Sequence, residues 1–368
     1  MKNRILSAGG GEPILIDYAM MMILLLGLFL CTIFKARLHS GGNPDFFDLE
    51  NTKAMRGLWC IVVVLVHTPA AYQNRIQDLV GSFAYIGVTF YFMASAYGLS
   101  LGMRKRPQSI RVFWRNRLPK LLIPQLLVNV LFCGLSFLLF REVPTVKSLL
   151  DISPWTKWLL VCYFFFWLSH LLCKDAGGAD LLLCVLVTAF SLVLYCLKSA
   201  GIVTATIWST EIFGFLWGLL LAAYLPKMQA LCKHKWLLKC AVSCGIALLL
   251  GLAYLKCKPV VFLGDYLLKI GLGLAIIGFI LLLNTRISLG NKISSFLGGI
   301  SYEVYLVHYY VFSLTARLLD GLSSGVYILL CIFGSVLCSA VIHRICGYLL
   351  KRLYAIPWFG KKASGLPH

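Results

Sequence analysis

Arg56 and His67 are the two ionisable residues of this chain best placed to do chemistry. His67 closes the uninterrupted apolar run Ile61 to Val66, and Arg56 precedes it by eleven positions. At 100° per residue that spacing leaves the two side chains about 20° apart on a helix wheel and roughly 16 Å apart along the axis. An ionisable group inside a membrane carries a desolvation cost of at least ~2.5 kcal/mol, which makes it a functional candidate. One of the pair would stand at the membrane surface and the other within, an arrangement suited to chemistry entered from one side and completed inside the bilayer. Thr68-Pro69 follows directly. Proline has no N–H to give and disfavours helical geometry just before it, so the helix should kink or stop here. A broken helix at membrane depth needs a protein-lined or watered cavity, and His67 is expected to face one. Taken alone, His67 reads equally as a structural hydrogen bonder, and Arg56 as a snorkelling residue that sets topology.

A second cluster runs Gly298-Gly299-Ile300-Ser301-Tyr302-Glu303-Val304-Tyr305-Leu306-Val307-His308. Ser301 and His308 are seven apart and share a helix face, with Tyr305 beside them. That polar stripe should face the bundle interior. Tyr302 and Tyr305 read first as interhelical hydrogen bonders, while Tyr305 or Ser301 would orient His308 in a polar pocket. Glu303 is the carboxylate we place inside the hydrocarbon zone, and it points to another side. A third cluster is the basic stretch Phe113-Trp114-Arg115-Asn116-Arg117-Leu118-Pro119-Lys120, followed by Pro124. Arg117 and Lys120, three apart, should share a face at the membrane edge. Such a cluster holds phosphates through charge-assisted bonds, binds anionic lipid, or simply sets topology.

The elements that position these residues follow from composition. Of 368 residues, 60% are hydrophobic and only 13% charged, which excludes a water-soluble domain of this size. The apolar runs do not alternate with polar residues, so β-barrel spans are excluded too. The expected fold class is all-α, a polytopic membrane helical bundle. A net charge of +20 would point to nucleic acid in a soluble chain. Here the basic residues cluster between apolar runs, so no nucleic-acid partner is expected. The fourteen cysteines lie mostly within apolar runs and form no CxxC pair. They read as small packing residues rather than disulfides, and no metal site is expected. Tyr18 to Phe34 is long for a signal peptide and poorly suited to cleavage, so we read it as a retained span.

Spans of about 20 residues fall near 16–34, 54–72, 82–101, 119–140, 155–173, 181–197, 207–224, 237–255, 266–283, 300–319 and 326–349, eleven in all. Ten form the core and the first is an extra N-terminal span. The basic groups at 104–120, at Lys227, Lys233 and Lys235, and at Lys351, Arg352, Lys361 and Lys362 then share one face. The positive-inside rule makes that face, and the C-terminus, cytoplasmic. The opposite face holds Asp78, Glu142, Asp151, Glu211, Asp265 and Asp320. No soluble domain or internal repeat is evident. The chain divides into an N-terminal tail and extra span (1–44), one membrane domain (45–350) and a basic tail (351–368).

Together these features resemble the acyltransferase family 3 proteins, bacterial multi-spanning enzymes that O-acylate envelope glycans and related acceptors. The resemblance rests on Arg56 followed after ten residues by His67, and on Ser301-Tyr302 through Tyr305-Leu306 to His308. Weaker matches are Gly87-Val88 through Phe90-Tyr91-Phe92 to Ser95, the basic stretch Arg115 to Pro124, and the Trp-rich run Trp158 to Trp167. It covers roughly residues 45 to 350. Ala96 stands where the family usually has glycine, and Lys120 where arginine is common.

The resemblance implies an enzyme of the bacterial plasma membrane that takes acetyl-CoA or another acyl-CoA as donor and a carbohydrate or other envelope hydroxyl as acceptor. It implies catalytic roles for His67, Arg56 and His308. Arg115, Arg117 and Lys120 would bind the donor phosphates, and Ser301, Tyr302, Tyr305 and Ser95 would line the site. Membrane lipids are the other expected partner, and the residues do not specify an oligomeric state. No esterase-like segment stands in the sequence, so transfer should finish within the membrane domain or pass to a separate protein. A flippase for a lipid-linked sugar is the non-enzyme alternative, and a lipid or protein O-acyltransferase of another class the enzymatic one.

Overall fold

The computed structural model describes residues 15–73, 75–203, 208–319 and 321–356. Asp320, Lys361 and Lys362 lie outside the described residues. Fourteen α-helices follow in chain order: α1 (Leu15–Ile33), α2 (Leu49–Val66), α3 (Arg75–Phe83), α4 (Tyr85–Lys105), α5 (Phe113–Phe140), α6 (Val146–Leu150) and α7 (Pro154–Leu172). They continue with α8 (Ala176–Ser199), α9 (Phe213–Lys233), α10 (Trp236–Cys257), α11 (Lys269–Asn284), α12 (Lys292–Gly299), α13 (Ser301–Leu318) and α14 (Ser324–Ala355). The protein is an all-α polytopic membrane bundle. Among the described residues, seven helical stretches are long and apolar enough to cross a membrane by length and composition.

Each of the eleven predicted segments coincides with helix. Several boundaries differ, among them the starts of the second, fourth and seventh segments at Leu49, Phe113 and Phe213, and two ends differ for local reasons. The second segment stops at Val66 rather than continuing to 72, because Pro69 cannot extend it; His67 becomes the C-cap. The seventh runs on to Lys233 across a break at Tyr224, two residues before Pro226. The only strands among the described residues are a two-residue antiparallel pair, β1 (Arg37–Leu38) and β2 (Ile287–Ser288). That pair ties the end of α1 to the approach to α12. Asn291 reinforces the tie. Its side-chain oxygen caps α12 at Ile293 and Ser294, while its amide donates to the last carbonyls of α1, Cys31 and Phe34.

Two helix crossings are closed by glycine. A Cβ on Gly298 would overlap the carbonyl oxygen of Lys53, and one on Gly57 the carbonyl oxygen of Ser294. The α2 and α12 backbones therefore touch, which places Arg56 beside the start of α13. Gly214 and Gly218 do the same for α9 against the Thr89 and Met93 carbonyls of α4. Gly298→Ala is expected to cost at least the ~1–3 kcal/mol typical of overpacking. A clear fall in the thermal unfolding midpoint of the detergent-solubilised protein checks this; an unchanged midpoint would mean that the crossing yields freely.

Candidate active site

The site sits at the seam between two packed cores. Cys60, Val64, Val304 and Val307 belong to one core, and Leu121, Leu159, Tyr163 and Phe215 to the other. Between them lies a cavity of about 330 Å³ whose lining includes Arg56, Ser95, Arg117, Ser301, Tyr302 and Tyr305. Six of the sequence-predicted residues thus share one space. Leu49, Thr52 and Gly98 at its rim put its mouth on the face that carries the basic 104–120 connection. The C-terminal end of α14 reaches the same face, where the Tyr354 hydroxyl donates to the Arg115 carbonyl at 3.4 Å.

Most hydroxyls of the lining are committed to protein partners. Tyr91 donates to the Arg56 carbonyl at 2.8 Å, Tyr302 to the Leu121 carbonyl at 2.9 Å, and Ser301 to the Gly298 carbonyl at 2.9 Å. Ser95 and Tyr163 pair with each other at 2.7 Å. The guanidiniums are different. Arg56 gives its Nε to the Thr52 carbonyl at 3.4 Å, and neither Arg56 nor Arg117 has a carboxylate partner among the described residues. Two unneutralised cations in one half-buried cavity make a site for an anion.

The other predicted residues stand outside the cavity lining. Lys120 is exposed and Arg115 half-buried, because α5 turns the Arg117–Leu121 pair inward, a spacing of four rather than three. His67 and His308 lie beyond the cavity, 5.1 Å apart between ring centroids. Tyr305 joins the two regions, since it lines the cavity and its ring stands 5.8 Å from that of His308. Both imidazoles are held alike. Nδ1 of His67 meets the Val63 carbonyl at 2.7 Å, and Nδ1 of His308 meets the Val304 carbonyl at 3.2 Å. A carbonyl only accepts, so each Nδ1 carries the hydrogen and each Nε2 presents a lone pair. Nε2 of His308 is buried with no hydrogen-bond partner. Glu303 points away as expected and pairs with His343 of α14 at 2.8 Å.

A re-entrant segment was not anticipated. Asn129 of α5 donates to the carbonyls of Leu149 and Asp151 at 3.0 and 2.8 Å, and the Gln125 carbonyl oxygen accepts the Ser153 N–H at 3.1 Å. Asn129 lies eleven residues, about 16 Å, before the end of α5. The last residues of the connection, Leu149 to Ser153, are therefore tied back to the middle of α5, while 141–147 are exposed. This brings Trp155 and Thr156, in the first turn of α7, onto Tyr305 and Tyr302. Two amides four residues apart in an otherwise apolar run were the available signal. Asn129→Leu leaves both carbonyls unpaired at ~1–3 kcal/mol each. Faster proteolysis within 141–153 than in the wild type is the expected result, and an equal rate would show that the segment holds without Asn129.

Fold and site define a polytopic helical membrane protein with a cationic, half-buried cavity beside a pair of imidazoles. A family model described as an acyltransferase domain, acyltransferase family 3, matches residues 49–344, and the chain belongs to that family. It is a membrane acyltransferase. Comparison with curated proteins and with solved structures gave no match.

Proposed function

We propose that the protein moves an acetyl, or other acyl, group from cytoplasmic acyl-CoA to a hydroxyl of a carbohydrate or other envelope acceptor, with His67 as general base. The basic face is then the cytoplasmic face of a bacterial plasma membrane, and the C-terminus lies there. One observation carries the reading: the cavity that gathers Arg56 and Arg117 adjoins the histidine pair, since Tyr305 in its lining stands 5.8 Å from His308 and Val63 in its lining holds His67. Donor residues fit this. Arg56 and Arg117 would hold anionic oxygens inside the cavity, with Arg115 and Lys120 at its mouth. About 330 Å³ suits the thioester end of the donor, leaving the nucleotide at the basic face.

His67 takes the acceptor hydroxyl proton on Nε2 while the Val63 carbonyl fixes its ring through Nδ1. The hydroxyl oxygen bonds to the thioester carbonyl carbon, the carbon–sulfur bond breaks, and the imidazolium returns the proton to the departing thiolate. Atoms and charge balance without a further reagent. Base-labile acetate released from envelopes of cells carrying wild type, His67→Ala or empty vector tests the reading. Acetate raised by wild type alone supports it; equal acetate in wild type and His67→Ala, both present in the membrane, removes His67 from the reaction.

A further inference from the structure

Neither His67 nor His308 lines the cavity; Val63, whose carbonyl holds His67, and Tyr305, whose ring stands 5.8 Å from that of His308, are the lining residues that reach them. Tyr305 is held by Trp155, which shares the cavity lining, and by Trp208, which does not. Its hydroxyl accepts the backbone N–H of Trp155 at 3.2 Å, and its ring lies 5.7 Å from the Trp155 ring and 6.4 Å from that of Trp208. Trp155 follows the re-entrant connection, and Trp208 stands in the stretch that enters α9. That stretch is anchored beneath Trp208. Ser209 accepts a bond from Ser191, and Glu211, 4% exposed, pairs with Lys269 at 2.6 Å. Tyr91 and Tyr302, by contrast, are fixed on carbonyls of α2 and α5. The indole Nε1 of Trp155 is buried without a hydrogen-bond partner, so its ring turns without breaking one.

We propose that Tyr305 is a shutter between the donor cavity and the His67–His308 pair, latched by Trp155 and Trp208. The latch decides between transfer to the acceptor and loss of the acyl group to water. This inference rests on the acyl-transfer reading above. In both outcomes an oxygen nucleophile bonds to the thioester carbonyl carbon, the carbon–sulfur bond breaks, and the thiol leaves with the nucleophile's proton. An acceptor hydroxyl gives an ester; water gives a free carboxylate. A carbohydrate arriving from the opposite face meets Trp208 first and frees Tyr305 by displacing it. Without it the closed shutter keeps the thioester from the base, a coupling of acceptor binding to assembly of the reacting groups.

The test uses membranes containing wild type, Trp208→Leu, Trp208→Phe or Tyr305→Phe, supplied with acetyl-labelled acetyl-CoA and the envelope glycan fraction. Free acetate reports hydrolysis and base-labile acetate on glycan reports transfer. Trp208→Leu and Tyr305→Phe are expected to raise the ratio of hydrolysis to transfer about fivefold, the scale of one aromatic contact or one neutral hydrogen bond. Trp208→Phe keeps an aromatic ring against Tyr305 and should leave the ratio at the wild-type value. Equal ratios in all four proteins, with wild-type transfer intact, would overturn the shutter and leave acyl transfer standing. A wild type that forms neither product would overturn both. If Trp208→Leu fails to reach the membrane, Tyr305→Phe decides alone, because it removes one hydroxyl and keeps the ring.

Discussion

His67→Gln is expected to lower acyl transfer by about 10²- to 10⁴-fold, the usual contribution of a positioned general base. Glutamine keeps a polar side chain at the end of α2 and leaves the Thr68-Pro69 break untouched, so the protein should reach the membrane in normal amount. Donor affinity should be unchanged, because His67 stands outside the cavity that holds Arg56 and Arg117. The loss therefore falls on kcat, as expected for a group that acts only as the reaction proceeds. His308→Gln makes the comparison informative. Its Nε2 is fully buried and turned away from solvent, and the ring lies against His67. A smaller loss there assigns proton removal to His67; a loss of equal size assigns the work to the pair. Full activity in His67→Gln would end the general-base assignment.

Arg56→Met and Arg117→Met should each raise the KM for acyl-CoA by about 10- to 100-fold, the worth of one charge-assisted hydrogen bond in a half-buried site. Methionine preserves length and apolar volume, so the cavity wall survives while the positive charge is lost. Lys120→Gln provides the contrast. That side chain is exposed, where screening leaves a charge worth little, and its KM should stay within about threefold of wild type. Titration of donor against initial rate separates the three proteins. If Lys120→Gln weakens the donor as much as Arg117→Met, phosphate recognition lies at the mouth rather than in the cavity, and the turn of α5 has been misread as functional.

The helices were legible because each is a long apolar run, and the end of α2 was legible because Pro69 forces it. Helical spacing made Arg56 legible with His67, and Ser301 and Tyr305 with His308; the structure brings Arg56, Ser301, Tyr302 and Tyr305 to one cavity and leaves both histidines outside its lining. Rotation about a helix axis was harder to read. Three residues apart and four apart are both neighbours on a wheel, so Arg117 and Lys120 looked equivalent until packing against α7 and α13 chose Leu121 as the inward partner. The re-entrant connection escaped for a different reason. Residues 141–153 mix charged and polar residues with scattered Val, Leu and Ile around Pro144, a composition that surface loops share. Its depth is set by Gln125 and Asn129, far away in sequence, and by carbonyls that no residue type announces. Trp208 was equally silent, since its contact with Tyr305 depends on how α9 meets α13.

The glycine crossings have a mechanical consequence. With backbone against backbone, α2 and α12 form one stiff stave, and α4 and α9 form another. Arg56 projects from the first, and Tyr91 and Ser95 from the second. Within each stave the backbones have no room to approach further, so the walls that carry Arg56, Tyr91 and Ser95 move as rigid pairs. On that side of the cavity the width is a property of main-chain spacing, and trimming a single side chain there enlarges it locally without changing the gauge.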